Sequence, residues 1–320
     1  MSFALAITGP TASGKTSLSL ALAERLGCEI ISLDSMQIYK RMDIGTAKAT
    51  AEERARVPHH MIDFLDPEVS YSAEDYRADA MRVLKDIESR GNLPLFVGGT
   101  GLYMDTVIRG SEISSPPSSE ELKERLLASA VTDDEREALW QRLHEIDPES
   151  AEKTHKNNVR RVVRALEIYE LTGKTKTYFD KLSKTSAPDV KVGMITLDFH
   201  NRDNLYSRVD LRVDAMLTDG LLDEVKTLYA EGLLDKGTTA AQAIGYKEFI
   251  SYLDGECTLD EALDQLKLST RRYAKRQLTW FRHNEDALRL YIDREDGTMK
   301  GKEELLNELY ALADELLQNR

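Results

Sequence analysis

Gly9-Pro10-Thr11-Ala12-Ser13-Gly14-Lys15-Thr16 fits G-x-x-x-x-G-K-[ST] at every fixed position. Residues of these types at this spacing hold a polyphosphate. The glycines let the backbone wrap with N–H groups pointing inward, and the N-terminus of a following helix adds its positive dipole end. Lys15 supplies a point charge to the outer phosphate, and Thr16 a hydroxyl to a Mg²⁺ ion. The motif names neither the polyphosphate nor any use of ATP. A chance match on a glycine turn is the competing explanation, and the flanking elements described below argue against it.

Other residues with chemical potential follow in order. Asp34-Ser35-Met36-Gln37 stands at the end of an apolar run, Cys28 to Leu33. A carboxylate on that rim is a base, a metal holder or a cap on the next turn, and the nearby phosphate loop favours the first two. Gly98-Gly99-Thr100-Gly101-Leu102-Tyr103 closes another run, Pro94 to Val97. A P-loop ATPase would place an acidic residue at such a strand end. Here there are three glycines, which allow close approach of a ligand, and Thr100, which can donate a hydrogen bond. A plain strand-to-helix turn would explain glycines but not the need for three. Arg208 and Arg212 are four apart on one helical face. They read as a phosphate clamp or as a solvated face paired with Asp210 or Asp214. His59 and His60 are adjacent, so their side chains diverge, which suits hydrogen bonding better than a two-His metal site.

The elements that position these residues are legible from periodicity. Phe3 to Ile7 is a buried strand, and Thr16 to Leu26 a helix closed by Gly27. Strand, glycine loop and helix are the setting that the phosphate motif requires. Cys28–Leu33 and Pro94–Val97 add strands. Ala51–Arg56 is a short helix, and Ser72–Arg90 is an amphipathic one with a Ser72/Asp75 opening. A Ser/Pro-rich break runs from Ser111 to Ser119. Beyond it the chain is helical and polar to about Asp180, including Arg136–Ile146 and Asn158–Thr172, with a Lys-rich tail from Lys174 to Lys184. Val190–Leu197 then returns as a strand. The expected fold is α/β, a P-loop NTPase-like, kinase-like parallel-sheet core (1–113 and 190–320) with a helical insertion domain (114–189). In the second part of the core, Asn204–Leu217 and Gly220–Tyr229 are helices, and a loop, Ala241–Glu248, leads into Phe249–Leu253. Thr258–Trp280 is long and basic, with Leu263, Leu266, Leu268 and Tyr273 as its inner face. Lys302–Arg320 is an acidic packing helix.

The chain has 320 residues, 31% charged and 41% hydrophobic, and a net charge of −13. This suits a soluble globular protein without loose affinity for nucleic acid. No run approaches a membrane span. The N-terminus enters the first strand directly, so no signal peptide is expected. Cys28 and Cys257 are far apart, which points to a reducing cytoplasm rather than disulfides. The charge is uneven. Gln265–Asn284 holds six basic residues and no acidic one, and Lys153–Arg164 holds five. Concentrated basic stretches in an acidic chain suggest a polyanion held in a defined place.

Together these motifs form an ordered set. To those above are added Ile38-Tyr39, Gly45-Thr46-Ala47-Lys48, Met61-Ile62-Asp63, Arg164-Ala165-Leu166-Glu167, Ile244-Gly245-Tyr246-Lys247-Glu248 and Arg271-Arg272-Tyr273-Ala274-Lys275-Arg276-Gln277-Leu278-Thr279-Trp280. From about Phe3 to Arg282 the chain closely resembles the bacterial tRNA isopentenyltransferase (dimethylallyltransferase) family. The phosphate loop is widely shared, but the Asp34–Tyr39 and Gly98–Tyr103 motifs are far more specific. The resemblance implies transfer of a dimethylallyl group from dimethylallyl diphosphate to N6 of adenosine 37, beside the anticodon of tRNAs that read codons beginning with U. It implies Asp34 as the base at N6, with Thr100 and Arg212 assisting at the diphosphate end. Gly9 to Thr16 would hold the diphosphate, and Thr16 the Mg²⁺. Along the tRNA anticodon stem-loop it implies Asp34, Ser35, Met36 and Gln37, then Asn158, Val159, Arg160, Arg161 and Val162, then Thr239, Ala240, Ala241, Gln242, Ala243 and Ile244. Family members often carry an Asp where this chain has Asn158.

Two rivals share some of these features. A small-molecule kinase using ATP would keep the loop and core but leaves the Gly-Gly-Thr-Gly strand end and the basic helix unexplained. A non-catalytic RNA-binding protein with a nucleotide switch would bind diphosphate and form no covalent product. A cytoplasmic monomer is the expectation, since nothing reads as a coiled coil or a broad apolar stripe.

Overall fold

The computed structural model describes residues 1–108, 116–185, 188–235 and 237–319. Residues 111–115 of the Ser/Pro-rich break, and with them the expected 113/114 boundary, lie outside the described residues. The chain forms two compact units, Met1–Ile108 with Val190–Arg320, and Arg109–Asp189.

The first unit is built on a six-stranded, all-parallel sheet: β1 (Ser2–Thr8), β2 (Cys28–Leu33), β3 (His59–His60), β4 (Leu93–Gly98), β5 (Val190–Asp198) and β6 (Leu288–Tyr291). The spatial order is β3-β2-β4-β1-β5-β6. Central β1 alternates cleanly. Phe3, Leu5 and Ile7 enter one apolar layer, while Ala4 and Ala6 enter the other. Every residue from Phe3 to Thr8 is buried, as a strand covered on both faces requires.

Helices α1 (Lys15–Leu26), α2 (Ala51–Arg56), α3 (Ala73–Ser89) and α4 (Gly101–Ile108) alternate with the first strands. Capping boxes start α2 (Thr50/Glu53) and α3 (Ser72/Asp75), and Gly27 ends α1 in the left-handed region. The second unit is helical: α5 (Glu120–Ala128), α6 (Asp133–Ile146), α7 (Pro148–Glu152), α8 (Val159–Thr172) and α9 (Lys176–Thr185). Its own core gathers Leu122, Leu126, Leu139, Leu143, Val162, Val163 and Leu166. The first unit resumes with α10 (Arg202–Thr218), α11 (Leu221–Ala230), a 3₁₀ turn at Ala240–Gln242, α12 (Lys247–Leu253), α13 (Leu259–Arg282) and α14 (Lys302–Gln318).

Two strands escape periodicity. β3 is two histidines long, and β6 is four residues. As expected the histidines diverge: His60 Nε2 lies 2.6 Å from Glu29 Oε2, and His59 Nδ1 lies 2.7 Å from the Val57 carbonyl. The inner face of α13 also differs from the expected one. Ala262, Leu266, Ala274, Gln277, Leu278 and Phe281 are buried, while Leu263, Leu268 and Tyr273 are only partly so. The reason is that α13 enters three cores in succession. Leu266 packs among α10, α11 and α12 of the same unit, Leu278 on one sheet face and Phe281 on the other, so its buried stripe turns along the helix.

The glycines at the end of β4 are required by packing, and Gly98 and Gly99 also line the cavity described below. A Cβ on Gly98 would stand 2.4 Å from the Leu33 carbonyl oxygen, one on Gly99 2.0 Å from Gln277 Nε2, and one on Gly101 2.3 Å from the Trp280 ring. Each glycine thus admits a different neighbour. Gly98→Ala must push the β2 backbone, so we expect it to cost about 1–3 kcal/mol of stability. Urea unfolding checks this, and an unshifted midpoint would show that β2 yields freely.

Candidate active site

The carboxyl ends of β1, β2 and β4 open on a cavity of about 810 Å³ lined by residues of the first unit. The phosphate loop joins β1 to α1. Gly9 (φ 139) and Gly14 (φ 93) adopt backbone angles that disfavour side chains, and Ala12 shares the left-handed region at φ 63. A Cβ on Gly9 would meet the Leu197 carbonyl oxygen at 2.8 Å.

Lys15 donates to the carbonyls of Gly9 (3.0 Å) and Pro10 (2.6 Å). Burial, and then the nearby Arg212 charge, pull its pKa down to about 7, with Asp34 opposing them. Arg208 donates from Nε to the Ala12 carbonyl at 2.7 Å. Burial lowers both Arg208 and Arg212 from the ordinary guanidinium value, and the Asp34 charge opposes this at Arg212. Asp210 and Asp214 do not pair with these arginines. They turn to α13, Asp210 to Arg271 (3.1 Å) and Asp214 to Lys267 (2.6 Å). Arg208 and Arg212 line the cavity instead.

Asp34 follows β2 on the same rim. Its Oδ1 accepts from the Met36 N–H (2.9 Å) and the Gln37 N–H (3.3 Å), so it does cap the next turn, yet it also lines the cavity. No hydrogen bond reaches Oδ2 from the described residues. Thr100 fixes this turn from the side. Its hydroxyl accepts from the Ser35 N–H at 3.2 Å, and its own N–H donates to the Leu33 carbonyl at 3.0 Å. The hydroxyl proton stays available for donation. Gln37 is committed at both ends, accepting from Ser32 Oγ (3.0 Å) and donating to the Thr46 and Ala47 carbonyls (3.2 and 3.3 Å).

Among the described residues no group of three or more His, Cys, Asp or Glu is placed to hold a metal. Mg²⁺ does not need one, because it often takes one or two protein oxygens and completes its shell with substrate phosphate and water. The exposed Thr16 lines the cavity beside Lys15, and its hydroxyl fits that donor set.

Comparison with known proteins agrees with this geometry. A family model described as IPP transferase matches residues 37–284, and one described as isopentenyl transferase matches residues 3–64. The chain belongs to the IPP transferase family. It is 50% identical over 277 residues to the tRNA dimethylallyltransferase of Anoxybacillus flavithermus, covering 87% of this chain and 86% of the relative. To that of Thermoanaerobacter pseudethanolicus it is 46% identical over 277 residues, covering 86% and 87%. Among solved structures it resembles the full-length tRNA isopentenylpyrophosphate transferase of Bacillus halodurans (TM-score 0.71, 43% identity, 99% and 97% covered). It also resembles a eukaryotic dimethylallyltransferase captured acting on tRNA (TM-score 0.80, 30% identity, 100% and 80% covered).

Within this family member the cavity gathers Thr11, Ala12, Gly14, Lys15, Thr16, Asp34 to Gln37, Arg212 and Gln242 to Ile244. Gly9, Pro10 and Ser13 complete the loop behind it, and Thr100 supports it from outside the lining. Thr239 is exposed, whereas Ala240 and Ala241 are buried under the turn. Asn158 to Val162 belong to the second unit. Asn158 precedes α8 without capping it, Val162 is buried, and Arg160 and Arg161 are exposed. Arg164 is occupied by Glu167 (2.7 Å) and the carbonyls of Pro116 and Pro117. Sequence reasoning missed Gln277, which is buried and lines the cavity. The available signal was a polar residue on the apolar stripe of α13, one turn from Tyr273 and one from Phe281.

A bound polyanion must raise the Lys15 pKa, so binding above about pH 7 takes up a proton. Affinity for dimethylallyl diphosphate should therefore fall as pH rises from about 7 toward the pKa of the complex, by up to about tenfold per unit. Lys15→Arg, which does not titrate there, should lack this slope. Calorimetric titration at pH 7 and 8.5 checks both. Equal wild-type affinities, or the same slope in the arginine variant, would remove Lys15 as the linked group.

Proposed function

We infer that the chain transfers the dimethylallyl group of dimethylallyl diphosphate to N6 of adenosine 37 in tRNA, giving N6-(dimethylallyl)adenosine and diphosphate. One observation carries this reading. Lys15, Arg208 and Arg212 share a cavity with a carboxylate that has one oxygen uncommitted, and β4 ends in glycines rather than an ATPase acid.

The N6 lone pair is delocalised into the ring, so the amine needs a good leaving group and a base. It forms a bond to the allylic carbon while the carbon–oxygen bond to diphosphate breaks, and that electron pair leaves on diphosphate. Phosphate-loop amides, Lys15 and Arg212 neutralise the departing charge, with Thr100 assisting. Thr16, together with diphosphate oxygens, would hold Mg²⁺, which would supply further neutralisation. Oδ2 of Asp34 takes the N6 proton and passes it to water. An allylic carbon tolerates positive charge, so the protein's main task is alignment.

Adenosine 37 reaches the cavity by leaving its stack in the anticodon loop. Asp34 to Gln37 and Thr239 to Ile244 lie along the RNA, some of them through backbone alone. The insertion, 114–189, grips the anticodon stem-loop through the exposed Arg160 and Arg161 at the start of α8. The substrates are tRNAs that read codons beginning with U. Among the described residues no helix is long and apolar enough to cross a membrane. The enzyme works in the cytoplasm as a monomer.

Incubation with Mg²⁺, unmodified tRNA and dimethylallyl diphosphate, then digestion and nucleoside mass measurement, tests the reading. Adenosine heavier by one dimethylallyl unit is expected. Asp34→Ala should lose about 10²–10⁴-fold in turnover and keep its tRNA affinity. Phosphate transferred from ATP to a small molecule, with no prenylated adenosine, would favour a kinase. For the insertion, Arg160→Ala with Arg161→Ala should flatten the salt dependence of tRNA binding by about 1.5 in log–log slope. An unchanged slope would mean that both face solvent in the complex.

A further inference from the structure

Gln277 is 5% exposed in the basic stretch of α13. Its one amide serves two motifs. Oε1 accepts from the Thr11 N–H of the phosphate loop at 2.8 Å, and Nε2 donates to the Gly99 carbonyl at 3.0 Å. Gly99 leads to Thr100, whose hydroxyl holds the Ser35 N–H next to Asp34. A short chain of bonds therefore runs from the loop that holds the leaving group to the turn that carries the base.

We propose that Gln277 is a positioning residue for the transfer. It fixes the separation between the phosphate loop and the Asp34 turn, and so between the allylic carbon and the attacking amine. The proposal rests on the functional reading given above. Three features argue for it. The position uses both a donor and an acceptor, which glutamate, methionine and leucine cannot supply together. The bond to Gly99 is buried and the one from Thr11 part-buried, so losing the first leaves a costly unpaired group. The space for the amide exists because residue 99 has no side chain, since a Cβ there would lie 2.0 Å from Nε2. Thr11 spends its N–H on Gln277, so this contact shapes the loop and is not one of the loop's phosphate contacts.

The test is a set of variants in the full chain: Gln277→Met, Gln277→Ala, Gly99→Ala, and the Gln277→Ala/Gly99→Ala double. Each is compared with wild type in single turnover at saturating dimethylallyl diphosphate and anticodon stem-loop RNA, with separate Kd values for the two substrates. Gln277→Met should lose about 100-fold in rate, the scale of an ångström-sized misplacement, while both Kd values stay within about threefold. Gly99→Ala displaces the amide and should lose a similar amount. In the Gln277→Ala background the clash with the amide is gone and only a 3.2 Å contact with the Gly9 carbonyl oxygen remains, so Gly99→Ala should cost at least about tenfold less than it does in the wild-type background. A rate within about threefold of wild type, or a loss that saturating donor restores, overturns the proposal. An equal cost of Gly99→Ala in both backgrounds also overturns it. Should Gln277→Met fail to fold, Gly99→Ala carries the same test. A wild-type enzyme that makes no prenylated adenosine would instead overturn the functional reading.

Discussion

Lys15, Arg208 and Arg212 are held around one loop, and the cost of withdrawing these cations from water is the constraint that the rest of the site answers to. Burial already disfavours the charge on Lys15, and Arg212 adds to that, bringing the lysine to about 7. The acids that could have relieved the strain from α10, Asp210 and Asp214, are turned to Arg271 and Lys267 on α13. Asp34 remains as the opposing charge near Lys15 and Arg212. A cavity left positive in this way stabilises a polyanion on arrival and its developing charge on departure. The chain as a whole carries −13, so this field is local.

Packing holds the loop against that cost. α13 packs among α10, α11 and α12 and on both faces of the sheet, so its Gln277 reaches the loop from a rigid base. A second brace joins distant motifs. Glu224 accepts from the N–H groups of Asp43, Ile44 and Gly45 (2.9, 2.8 and 3.1 Å), and the Tyr246 hydroxyl donates to the same carboxylate at 2.6 Å. A Cβ on Gly45 would meet the Tyr246 ring at 2.5 Å. Buried Lys48 donates to the Tyr39 carbonyl (2.7 Å) and Asp63 (2.8 Å). The Gly45–Lys48, Met61–Asp63 and Ile244–Glu248 motifs thus owe much of their chemistry to one another.

What could be read from sequence followed from local physics. The strand–loop–helix setting of the phosphate motif, helix α2, the capped helix α3 and the parallel α/β core rest on near-neighbour patterns. β3 escaped because two histidines carry no period, and β6 because four residues carry little. The glycines of 98–101 were visible, but their reasons were not, because Leu33, Gln277 and Trp280 are distant in the chain. The same holds for Arg208 and Arg212. Spacing places them on one face, but only the fold shows that Asp210 and Asp214 are spent elsewhere. Gln277 escaped for the same reason, since its partners Thr11 and Gly99 are far away in the chain.

Asp34 shows why capping and catalysis do not compete at this position. The turn takes Oδ1, and Thr100 pins the adjacent Ser35 amide. With one oxygen tied to the backbone, the carboxylate loses rotational freedom and the second oxygen has a fixed aim. The N6 proton becomes acidic as the nitrogen–carbon bond forms, so the base needs placing more than strengthening. A carboxylate free of the turn would spend much of its time elsewhere on the rim. The hydrogen bonds that make Asp34 look structural are the same ones that fit it to accept a proton from a single direction.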